Sequence, residues 1–80
     1  MIVEYKRVED SMVQYECMDH DGKVYGVADT VHEGMILDTL VIDMQTYDEV
    51  VDSELFKRIV TARSALMNSS DEILETIQEL

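Results

Sequence analysis

Residues 35–66 read MILDTLVIDMQTYDEVVDSELFKRIVTARSAL, and partway along them the apolar spacing changes from that of a strand to that of a helix. Before Gln45, Leu40, Ile42 and Met44 recur at every second residue, which places them on one face of an extended chain. The unbroken run Leu40, Val41, Ile42 predicts a strand, at about residues 35–44, that is buried on both sides. Beyond Thr46 the interval becomes three and four. Val51, Leu55, Ile59, Ala62 and Leu66 then fall within an arc of about 80° at 100° per residue. Asp48 and Asp52 would intrude on that arc if the helix began at Thr46, so its start is placed near Ser53 and its span at about residues 53–68. Asp52 or Ser53 is the expected N-cap, with Glu54 set favourably against the helix dipole. The spacing of Thr46 and Glu49 also fits a capping box and would allow one earlier turn.

On the N-terminal side the same period of two continues. Residues 2–8 and 12–18 are rich in β-branched and aromatic side chains and are separated by the polar turn Glu9, Asp10, Ser11. Val3 and Tyr5 share a face in the first segment, as Val13, Tyr15 and Cys17 do in the second. Asp19, His20, Asp21 and Gly22 supply a second turn, with Gly22 free to take positive φ, and residues 23–28 return as a third strand. Residues 29–34 read as a polar connection. On the C-terminal side, Ser69 and Glu72 have capping-box spacing and open a terminal helix at about residues 70–80. Ile73, Ile77 and Leu80 line its inner face, while Glu72, Glu75 and Glu79 occupy an arc of about 60° opposite. The expected architecture is α+β: one domain over residues 1–80, with a four-stranded, mostly antiparallel meander followed by two helices.

With 80 residues, 46% hydrophobic and 30% charged, the chain belongs among foldable globular sequences. Its 18 Asp and Glu against 6 Lys and Arg give a net charge of −12, shared evenly between the halves. Direct binding to nucleic acid or to an anionic membrane is disfavoured, because both require cationic side chains. No stretch approaches the roughly 20 apolar residues of a membrane span, and Met1 to Arg7 lack the basic start and apolar run of a leader, so a cytoplasmic location is expected.

Chemistry-bearing patterns are sparse. Cys17, His20 and His32, with Asp19, Asp21 and Glu33 nearby, could be arranged around a metal. A core-facing Cys17 could not join them, so neither metal nor cofactor is expected. Asp19, Asp21 and Gly22 fail as a calcium loop, since Lys23 stands where an oxygen ligand belongs. The serines are explained as turn and cap residues, and no glycine loop could cradle a phosphate, so no enzymatic activity is expected.

The acidic side chains are patterned. Asp48, Glu49, Asp52 and Glu54 form one run without a base, beside Tyr47, and Glu72, Glu75 and Glu79 form another. Carboxylates at i, i+3 and i+7 repeat at about 5 Å, near the per-strand spacing of phosphates in nucleic acid. The expected partner is a basic surface of a nucleic-acid-handling protein, which the chain would occupy and inhibit or regulate, in the manner of a phage-type nucleic-acid mimic. Tyr47 would add an aromatic anchor. The alternative is a self-associating structural or adaptor module. Phe56, Val60 and Met67 lie 140 to 180° around the helix from Val51, roughly opposite that end of the first stripe. They could meet a second copy in a homodimer or be covered by the terminal helix.

Overall fold

The computed structural model describes all 80 residues. Its elements are β1 (Ile2–Glu9), β2 (Met12–Met18), β3 (Val24–His32), β4 (Met35–Asp43), α1 (Ser53–Ser69) and α2 (Asp71–Glu79). The strands form one antiparallel sheet in the order β1-β2-β3-β4, and the α+β meander expected from the sequence is the fold of the chain. Both helices pack on one face of it, α1 over β1 and β2, α2 beside α1 and over β4.

Turn chemistry sets the register. Asp10 and Ser11 both take positive φ, as do Glu33 and Gly34, so the first and third hairpins close through two-residue turns whose twist matches the strands. In the middle hairpin, Oδ1 of Asp19 accepts hydrogen bonds from the backbone N–H groups of Asp21 and Lys23, each at 2.9 Å. Gly22 supplies the positive φ of 82°.

β3 runs to His32, past the expected end at Ala28, and only Glu33 and Gly34 remain as turn. Asp29 and Thr30 read as turn residues in the sequence. In the fold they pair with Thr39 and Asp38 of β4, and Asp29 points under α1. β4 is not buried on both sides. Val41 faces the helices and is buried, whereas Leu40 remains exposed on the uncovered face, because both helices lie on the same side of the sheet.

The core lies between sheet and helices. Val13, Tyr15, Cys17, Tyr25, Val27, Val31 and Val41 come from alternate positions of β2, β3 and β4, and Ile59, Ile73 and Ile77 come from the helices. Asp52 caps α1, its Oδ1 accepting from the Leu55 N–H at 3.0 Å. Ser70, rather than Ser69, caps α2 by accepting from the Ile73 N–H at 3.3 Å. The Ser69 hydroxyl instead donates to the Leu66 carbonyl within α1. No helical turn forms around Thr46. Its Oγ accepts from the Asp48 N–H, and Glu49 bridges to Ile42 of β4. The inward face of α1 is rotated from the expected stripe. Val51 lies outside the helix and is 87% exposed, while Arg63 joins Ile59 as a buried position.

Candidate functional site

The two acidic runs sit on differently built supports that both adjoin β4. After β4, Asp43 turns the chain: its carboxylate accepts from the Gln45 N–H at 2.8 Å and pairs with Lys23 Nζ at 3.0 Å. The Gln45 bond and then the Lys23 bond hold the Asp43 carboxyl below its ordinary range. The chain then doubles back along the outer edge of β4. The Asp43 N–H donates to the Asp48 carbonyl at 2.9 Å, and the Val50 N–H donates to the Val41 carbonyl at 2.8 Å. Asp48 and Glu49 are thus carried on a backbone hydrogen-bonded to the sheet, and Tyr47 projects beside them, 74% exposed. Asp52 and Glu54 follow at the entry to α1.

The second run lies on α2. Ile73 and Ile77 anchor the helix in the core, which leaves Glu72, Glu75 and Glu79 exposed on the opposite face. Seven residues of helix spread these three carboxylates over about 10 Å. α2 packs on β4, and Glu49 bridges to β4, so one strand supports both runs.

The distribution of bases sharpens the contrast. Lys6 lies 3.1 Å from Glu4 and 3.7 Å from Glu16. Arg7 lies 3.2 Å from Glu9, Lys23 pairs with Asp43, and Arg63 with Asp29. None of Asp48, Glu49, Asp52, Glu54, Glu72, Glu75 and Glu79 has a cation within ion-pair distance, and Lys57 and Arg58 pair with no carboxylate. The i, i+4 spacing of Glu54 and Arg58 therefore does not become an ion pair. Asp52 alone among the seven has a structural task, as the cap of α1.

Beneath α1 lies a polar cluster that sequence reading missed. Asp29 is fully buried, and its Oδ1 accepts a 2.6 Å hydrogen bond from the Thr39 hydroxyl. Oδ2 lies 3.3 Å from Arg63 Nη1, and Arg63 Nη2 donates to Thr39 Oγ1 at 3.3 Å. Burial pushes the Asp29 carboxyl up, against the Thr39 bond and the Arg63 charge, which pull it down. The Tyr15 hydroxyl, also buried, has no hydrogen-bond partner within the chain. Burial first, then the negative charge of Asp29, raises its pKa to about 12. This cluster is closed to solvent and ties α1 to β3 and β4. No sequence signal marked it: Arg63 lies about 40° outside the expected apolar arc, where a solvent-facing base is ordinary.

The other candidates are dispersed. Cys17 is buried in the core, 3.6 Å from the Met1 sulfur, and burial raises its thiol pKa. His20 lies at the β2–β3 turn and His32 at the far end of β3, each beside one carboxylate. Phe56, Val60 and Met67 are half-buried and packed against the chain's own core. No helix is long and apolar enough to cross a membrane. No protein-family model, curated protein or solved structure matches the chain.

Proposed function

We propose that the chain is a non-enzymatic binding protein whose acidic runs occupy a basic surface on a nucleic-acid-handling protein, displacing nucleic acid from it and so inhibiting or regulating that protein. One observation carries this reading: seven exposed carboxylates stand without cationic partners, although most of the chain's bases are engaged by carboxylates elsewhere. Unpaired surface charge on hydrogen-bonded supports remains available to an incoming partner and steers its approach over long range. Tyr47, exposed beside Asp48, would supply apolar contact within the charged area.

The test is competition. The tagged chain is used to capture proteins from a lysate at low salt, and each captured protein is then challenged with duplex DNA or RNA. A basic partner released by nucleic acid and by high salt is expected. Replacing Glu72, Glu75 and Glu79 by Gln should weaken its capture. Capture that survives salt, nucleic acid and these replacements at full strength overturns the proposal.

A further inference from the structure

The sheet face turned away from the helices has no element packed on it, and its β3 and β4 side is largely apolar. The register places Glu4, Glu16, Gly26 and Ile42 in one row across the four strands, and Arg7, Gln14, Ala28 and Leu40 in the next. A depression of about 240 Å³ crosses this face, with Gly26, Ala28, Leu40, Ile42 and Met44 on its β3 and β4 side and Lys6, Arg7, Gln14 and Glu16 on its β1 and β2 side. A Cβ at Gly26 would stand 2.8 Å from the Met44 sulfur and 3.3 Å from Ile42 Cγ1, so both side chains lean over the glycine. At one end, Ile2, Met18 and Val24 extend the apolar surface across the remaining strands, with Ile2 and Met18 exposed.

The β1 and β2 half is charged, and its pattern is self-complementary. A bulge in β1 puts both Lys6 and Arg7 beside Gln14, so a basic row directly follows the acidic row of Glu4 and Glu16. A twofold axis across the strands, midway between these rows, would lay β4 over β4 of a second copy with its direction reversed. Leu40 then faces Ile42 of the second copy, Lys6 and Arg7 face its Glu4, and Gln14 faces its Glu16. Sheets packed in this way stand about 10 Å apart, within reach of paired long side chains. Four strands of this length present about 500 Å² per copy in flat projection, and the pair therefore reaches the roughly 1,000 Å² at which specific interfaces begin. The acidic runs lie on α2, on the entry to α1 and on the β4 edge, so they stay outside such a contact.

We propose that the uncovered sheet face binds a second copy of this chain as an isologous homodimer, with Leu40, Ile42, Gly26 and Ala28 at its apolar half and Lys6, Arg7, Glu4 and Glu16 at its charged half. This contact differs from the α1 face of Phe56, Val60 and Met67, which the monomer covers with its own core. Sedimentation equilibrium of the full chain should report twice the 9.2 kDa monomer mass. Leu40→Lys, at a site 42% exposed in the monomer, should give a monomer with an unchanged far-ultraviolet circular dichroism spectrum. Arg7→Glu should weaken the dimer roughly tenfold or more, and Arg7→Glu with Glu4→Lys should restore it, a pair that does not exist within one chain. Replacing Glu72, Glu75 and Glu79 by Gln should leave the mass unchanged, so loss of partner capture and loss of dimerisation remain separable. A wild-type chain that stays monomeric at millimolar concentration overturns the proposal. So does a dimer that persists in folded Leu40→Lys, or a charge swap that restores nothing.

Discussion

Asp29 and Arg63 are respectively 0% and 6% exposed at the side chain, so each depends on the other to offset the loss of water. Arg63→Met would leave a buried carboxylate with only Thr39 to stabilise it. The expected cost is about 3–5 kcal/mol near neutral pH, read as a lower urea midpoint. Replacing both partners by apolar residues, Asp29→Val with Arg63→Met, should recover most of that loss or exceed the parent stability. An additive double variant would contradict the coupling. Tyr15 gives a pH dependence of definite sign. Its folded pKa of about 12 lies above the ordinary 10, so the unfolded chain loses the phenolic proton first. This contribution to stability is complete below pH 10 and disappears as the pH rises through about 12. Absorbance titration should show a tyrosine ionising near pH 12 that is absent from Tyr15→Phe, and that variant should flatten the alkaline loss. A parent and variant with the same alkaline profile would contradict the assignment. None of this was visible residue by residue, because Asp29 is a common turn residue and Arg63 a common surface one.

Elements are where local chemistry was most legible. The positive-φ turns at Asp10–Ser11 and Gly22 fall where polar residues interrupt alternating strands, and Asp52 caps α1 as its place before the helix implies. The misplacement of the α2 cap by one residue shows the limit of a motif. Ser69 and Ser70 are both competent caps, and the choice follows from α1 using the Ser69 hydroxyl for its own Leu66 carbonyl. Ser70→Ala should therefore destabilise the protein by about 1 kcal/mol, and Ser69→Ala by markedly less. Equal losses in thermal or urea denaturation would contradict this assignment. The inward face of α1 differs from the expected stripe because that stripe was counted from Val51, which lies before the helix, while Arg63 is drawn inside by Asp29. Once Arg63 is inside, Phe56, Val60 and Met67 follow it onto the core side.

At the scale of the whole molecule, a net charge of −12 opposes compaction, and the exposed, unpaired carboxylates concentrate that repulsion. Moderate sodium chloride should therefore raise the urea midpoint by screening. Replacement of Glu72, Glu75 and Glu79 by Gln should shrink that salt effect while changing low-salt stability by no more than about 0.5 kcal/mol. A midpoint that falls with added salt would show that pairs such as Lys23–Asp43 outweigh the repulsion. Strand and helix periods, turn residues and the places where acids accumulate are properties of neighbours in the chain, and these were enough to write down the meander, the two helices and the acidic runs. What lay beyond them was long-range. Arg63 became an interior residue because Thr39, 24 positions earlier, and Asp29 met it across the layer. Leu40 became an exposed residue because both helices settled on the other face. Periodicity specifies which side chains share a face, but which face is covered depends on where the remaining elements pack, and that is decided by burial and charge compensation across the assembled fold.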